Sequence, residues 1–165
     1  MSYVQFDHDR PFDAVPIGRA GIDFNPVDYF KPLPECTTFK RYLGGSPANI
    51  AVGLARLGKK IGFIGCISDD KLGDFIEQYF KKEGIDTSRL FRTKKGESLC
   101  LAITEILNEN ESSLVMYRNG VADLQLSVEM IDEAYIKNTK MIIISGTALS
   151  ASPSREAALK AIELA

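Results

Sequence analysis

The chain has no tryptophan, one histidine and three cysteines in 165 residues. With His8 alone, a histidine-based catalytic triad or a multi-histidine metal site is nearly excluded. His8 lies in a polar N-terminal segment and reads as an ordinary surface residue. Cys36, Cys66 and Cys100 are odd in number and far apart, so they fit no zinc spacing and no disulfide framework. Each reads as a small buried apolar residue in a reducing compartment. There is no excess of basic charge: 20 Lys and Arg stand against 22 Asp and Glu, a net charge of −2. That balance argues against a nucleic-acid partner. The pairs Lys59-Lys60, Lys81-Lys82 and Lys94-Lys95 read as solvated ends of elements. No apolar run is long enough to cross a bilayer, and the acidic start, Met1 to Asp9, does not resemble a signal peptide. The expectation is a cytoplasmic protein with no membrane partner.

What is present is the composition of an ordinary globular domain, 45% hydrophobic and 25% charged, long enough for a real core. The most informative stretch runs from Tyr42 to Gly58. It reads as a strand end, the bare pair Gly44-Gly45, and a helix. Glycines let backbone N–H groups approach a ligand with no Cβ in the way. Ser46 is a suitable N-cap, and Pro47 falls at the first helical position, where its missing N–H is not needed. Asn49 then sits in the first turn, with an amide that both donates and accepts, as a hydroxyl-rich ligand requires. A tight turn followed by close helix–sheet packing explains the same residues, and both readings stay open.

Ala14 to Asp23 reads as a first strand running into a glycine turn, with Asp23 at its C-terminal end, the edge where open α/β sheets bind ligands. An Asx-turn or cap before Asn25-Pro26 is the alternative. Thr37 to Leu43 alternates as an exposed strand, and Gly58 ends the helix that follows the glycine pair. Ile61 to Ile67 reads as a buried strand parallel to the first. Ser68-Asp69-Asp70 caps a helix whose apolar face is Leu72, Phe75, Ile76, Tyr79 and Phe80, and which Gly84 stops. Ile85 to Arg89 reads as a turn. Ser98 to Leu107 and Ser112 to Tyr117 form a hairpin that interrupts the β-α alternation. Ser127 is expected to cap a helix through about Lys137. Met141 to Ser145 reads as a strand covered on both faces, and Ser152-Pro153 opens a last helix.

Gly44-Gly45-Ser46-Pro47-Ala48-Asn49-Ile50-Ala51 closely resembles the N-terminal signature of the PfkB (ribokinase-like) carbohydrate kinase family. Gly65 to Gly73 resembles its second conserved element, with Ser68 where many members carry glycine. The order of parts fits along nearly the whole chain. Ile17 to Asp23, Met116 to Leu124 and Ile144 to Leu149 most resemble the branch that phosphorylates a keto sugar acid of inositol catabolism. The implied fold is α/β: a ribokinase-like sheet flanked by helices, with a small β lid near residues 24–43 and 97–120. The implied activity is ATP- and Mg2+-dependent phosphorylation of a primary hydroxyl on a sugar or sugar acid. By the same resemblance Asp23, Gly44, Gly45 and Asn49 bind substrate hydroxyls. Arg118 meets a substrate carboxylate, whose two oxygens suit the guanidinium fork. Arg19 and Tyr117 are weaker candidates, and alternation puts Tyr117 on the strand face opposite Arg118.

The family's C-terminal Gly-Ala-Gly-Asp motif, which carries the catalytic base, is missing. Gly120-Val121-Ala122-Asp123 is a superficial echo on another element. The expectation is the N-terminal, sugar-binding part of one domain, 1–165, with the C-terminal half absent. No catalytic residue and no metal ligand is expected in the chain, and it is expected to be inactive alone. A kinase for 2-keto-3-deoxygluconate or fructose is the alternative within the family. A non-catalytic sugar-binding or dimerisation fragment is the alternative outside it, and a homodimer through the lid strands is a possible assembly.

Overall fold

The computed structural model describes residues 6–7 and 9–165; the readings made for His8 and for Met1 to Gln5 lie outside them. Two four-stranded sheets are present. The first is wholly parallel, in the order β5-β4-β1-β8, from Asp86–Arg92, Gly62–Ile67, Val15–Ile17 and Ile142–Ile144. The second is mixed, in the order β3-β2-β6-β7, from Phe39–Gly44, Gly21–Pro26, Leu101–Asn108 and Glu111–Tyr117.

Alternation along the strands explains how the parallel sheet acquires a core on each face. Phe63 and Ile67 of β4 join Ala48, Ala51 and Val52 of α1 (Ser46–Arg56) and Ile76 and Phe80 of α2 (Lys71–Lys82). The rings of Phe63 and Phe80 lie 4.8 Å apart, tilted at 53°. Val15, Ile17, Ile64 and Cys66 face the other way. They pack with Ile136 of α3 (Glu133–Lys137) and with Ala157 and Ala161 of α4 (Ser154–Leu164). Small residues on α1 and α4 let both helices lie close to the sheet.

Several boundaries differ from the sequence reading. The first strand is two strands in different sheets, broken at Gly18, whose φ of 134° is open to glycine alone. Ile85 to Arg89 reads as a turn, but Asp86–Arg92 is an edge strand paired with β4. The cap of α1 is Gly45, not Ser46, and its φ is 94°. α2 starts as expected: the Asp70 carboxylate accepts from the backbone N–H groups of Leu72 and Gly73, both at 2.9 Å. The helix expected after Ser127 is a short 3-10 turn, Val128–Met130, followed by the five-residue α3. Its cap is Asp132, which accepts from Ala134 and Tyr135. β8, read as covered on both faces, is half-buried and pairs only with β1 among the described residues. Cys66 and Cys100 are buried, but Cys36 is only half-buried. Its thiol lies among the Asp28, Lys31 and Pro32 carbonyls.

Candidate functional site

The two sheets meet where β1 passes into β2 through Gly18, Arg19 and Ala20, at the C-terminal end of the parallel sheet. Register fixes what lines the junction. Asp23 is opposite Tyr42 on β3 and Ala102 on β6, and Ala102 is opposite Met116 on β7. Opposed residues share a face, so these four form one row. Gly21 and Gly44 pair in the neighbouring row. Ile22 and Leu43 point to the other side, into the core.

The glycines form the floor of this shelf for steric reasons. A Cβ on Gly44 would stand 2.3 Å from Asp23 Oδ1. One on Gly45 would stand 2.5 Å from the Arg19 carbonyl oxygen. One on Gly21 would stand 2.7 Å from the Cys100 carbonyl oxygen. The glycine doublet therefore serves close approach between elements, and both glycines are buried. Asn49 lies in the first turn of α1; its backbone N–H donates to the Gly45 carbonyl at 2.9 Å. Its side chain is exposed and makes no hydrogen bond to a described residue.

Asp23 is half-buried, and its carboxylate accepts no hydrogen bond from any described residue. Burial raises its pKa above the ordinary carboxylate value, and the positive charge of Arg19 only partly offsets that rise. A carboxylate held short of solvent and without a protein donor keeps its capacity to accept hydrogen bonds. Arg19 has no carboxylate either. Its Nη1 donates to the sulfurs of Cys100, 3.3 Å away, and Met116, 3.5 Å away, and its buried Nε has no partner.

Arg118 is placed differently. Its Nη2 donates to Asp123 Oδ2 at 3.0 Å and to the Thr147 carbonyl at 2.9 Å, and its Nη1 donates to Ser150 at 3.2 Å. Asp123 is 4% exposed, and its second oxygen has no partner. Arg118 thus ties the end of β7 to the turn after β8. Asp123 was missed as a paired residue, although its position five residues after an arginine, among Val121, Ala122 and Leu124, is a readable sign. Both arginines act on Cys100, whose pKa burial raises and their charges pull back. Tyr117 is exposed on the opposite face of β7, as alternation requires.

Two grooves open to solvent lie elsewhere. One of about 390 Å³ sits at the N-terminal edge of the parallel sheet, beside Asp13 and Lys140. Another, of about 740 Å³, lies past β5, between Phe91, Lys94 and Met130. The open shelf around Asp23 differs from both in holding a half-buried carboxylate that accepts no hydrogen bond from a described residue. Among the described residues no group of three or more His, Cys, Asp or Glu side chains could hold a metal ion, and no helix is long and apolar enough to cross a membrane.

Similarity to known proteins agrees with this architecture. The chain is 67% identical over 165 residues to 5-dehydro-2-deoxygluconokinase of Clostridium perfringens, covering 100% of this chain and 49% of that protein. It is 66% identical over the same span to the Clostridium beijerinckii protein of that name, again 100% and 49%. A sugar kinase from Pyrococcus horikoshii, solved in complex with ATP, superposes with a TM-score of 0.83 at 27% identity, covering 91% of this chain and 48% of that one. The chain spans about half the length of the curated relatives it matches. Residues 12–165 match the pfkB family carbohydrate kinases, and with the sheet order and the shelf at the strand ends in agreement, the chain belongs to that family.

Proposed function

We propose that this chain is the sugar-holding part of an ATP-dependent sugar-acid kinase acting on 5-dehydro-2-deoxygluconate. The observation that carries the reading is the half-buried Asp23 carboxylate with no protein donor, set beside the Gly44-Gly45 doublet. Identity of 67% along the whole chain to a 5-dehydro-2-deoxygluconokinase supports the choice of substrate. In this reading Asp23 accepts hydrogen bonds from substrate hydroxyls. Gly44 and Gly45 present main chain to the sugar, and Asn49 offers its amide to a further oxygen. Arg118 enters with its guanidinium already held by Asp123, so it meets substrate only by giving up that pair.

ATP is the phosphoryl donor, supported by the ATP complex of the P. horikoshii relative. Phosphoryl transfer rests on positioning and charge neutralisation by a divalent cation. By the family resemblance, most contacts to Mg2+, and the base that takes the proton from the accepting hydroxyl, are assigned to the family's C-terminal half, where its Gly-Ala-Gly-Asp motif lies. The second sheet acts as a lid over the sugar. β7, exposed along its length, is where two copies pair; sedimentation of the intact protein checks that assembly.

The test is turnover by the intact protein with ATP and Mg2+ on a substrate panel. The reading expects kcat/KM for 5-dehydro-2-deoxygluconate to exceed that for 2-keto-3-deoxygluconate or fructose by about tenfold or more. Equal or better turnover of either alternative would overturn the substrate assignment.

A further inference from the structure

Arg19 is the one arginine among the described residues with neither a carboxylate nor an aromatic ring as partner. Arg10, Arg56, Arg89, Arg92, Arg118 and Arg155 each form an ion pair. Arg41 stacks on Phe75, 3.8 Å from the ring centre. Arg19 instead rests on two sulfurs, which are weak acceptors. Its Nε is buried and unpaired. A guanidinium drawn partly out of water without an ion pair bears a desolvation penalty, and among the described residues two sulfur acceptors and the charge of Asp23 offset it only in part.

Its position says what would repay it. Cys100 immediately precedes β6, and Met116 lies in the same cross-strand row as Asp23. The sulfurs therefore hold the guanidinium over the face that carries the Asp23 carboxylate. The two side chains make no ion pair with each other, yet the Arg19 charge is near enough to lower the pKa of Asp23. The shelf thus presents a carboxylate without a donor at one point and, across a floor of glycine, a guanidinium whose acceptors are two sulfurs. A ligand with hydroxyls at one end and a carboxylate at the other matches both.

We propose that Arg19, rather than Arg118, receives the carboxylate of the substrate and sets the preference for a sugar acid over a neutral sugar. The proposal rests on the sugar-kinase reading above and adds the residue that recognises the acid. Arg118 is a poor rival, because turning its fork to a ligand would leave Asp123 buried with no counter-charge. In this arrangement Arg118 is a positioning residue for the end of β7.

The experiment is calorimetric binding, without ATP, of two ligands to the intact protein. One is 5-dehydro-2-deoxygluconate; the other is the same molecule with its carboxylate replaced by a primary alcohol. Wild type is expected to prefer the acid by roughly 10–100-fold, the value of a charge-assisted hydrogen bond. Arg19→Ala is expected to abolish that preference while leaving affinity for the alcohol within about threefold. Asp23→Asn is expected to weaken both ligands alike. An undiminished preference in Arg19→Ala, or an equal loss for both ligands, overturns the proposal. Unchanged affinities in Asp23→Asn overturn the underlying site instead, so the two failures are distinct. If Arg19→Ala folds poorly, Arg19→Lys keeps the charge without the fork and should retain only part of the preference. Adding methylguanidinium to Arg19→Ala should restore affinity for the acid alone, a rescue that a purely structural arginine would not give.

Discussion

Substituting alanine for Gly44 adds one methyl group at the point where the shelf is tightest. Gly44 has no positive φ, so its backbone accepts alanine and the effect is confined to what the new Cβ meets. That atom would stand 2.3 Å from Asp23 Oδ1 and 2.8 Å from its Cγ, where ordinary contact begins at 3.4 Å. The carboxylate must retreat by about 1 Å, and aspartate, with only two side-chain torsions, does so by leaving its rotamer. A displacement of that size costs about 100-fold in rate, or about 2.7 kcal/mol. This agrees with losing one hydrogen bond to a charged acceptor, about 1.5–3 kcal/mol. Steady-state kinetics of the intact Gly44→Ala protein should therefore show kcat/KM reduced about 100-fold. In an Asp23→Ala background the same change should add little, because the atom it strikes is gone. Gly53→Ala is the control. Its Cβ meets nothing within 4 Å in the middle of α1, so it should leave turnover unchanged and stabilise the fold by about 0.5–1 kcal/mol. If Gly44→Ala kept kcat/KM within about threefold, or lost as much without Asp23 as with it, the assigned contact would be wrong.

Arg118→Ala should destabilise the protein by about 3 kcal/mol in urea unfolding, because it strands a carboxylate that is 4% exposed; adding Asp123→Ala should return most of the loss. Asp23 titrates with the opposite sign to a salt-bridged carboxylate. Its raised pKa means the folded chain binds the proton more tightly than the unfolded one. Its contribution to stability is full below the unfolded value of about 3.9 and is lost as pH rises through the higher folded value. Asp23→Asn should thus melt above wild type at neutral pH and lose that advantage in acid. Tyr135→Phe should cost about 1 kcal/mol in the same unfolding assay, since its hydroxyl donates to Asp86 at 2.7 Å.

Local chemistry that depends on few neighbours was legible in the sequence. Asp70 caps α2, Gly58 and Gly84 follow α1 and α2 with φ of 77° and 72°, and the face from Leu72 to Phe80 packs as its spacing requires. Features set by partners distant in sequence were not. Asp86-Thr87-Ser88 looks like a turn because its strand character comes from pairing with β4. Ser46 has the chemistry of a cap, but Gly45 takes the position because only glycine can approach the Arg19 carbonyl so closely. The site was legible in part. Asp23 and Gly44 come together across β2 and β3, whereas alternation alone could not reveal that Asp123 holds Arg118 or that two sulfurs hold Arg19.

The central claim is that a sugar acid lies on the glycine floor with its hydroxyls on Asp23. A crystal structure of the intact protein with 5-dehydro-2-deoxygluconate bound tests it most directly. The account predicts a substrate hydroxyl about 2.5–3.0 Å from an Asp23 carboxylate oxygen and main chain of Gly44-Gly45 against the sugar. Substrate seated away from Asp23, in the groove past β5 or beside Asp13 and Lys140, would contradict it.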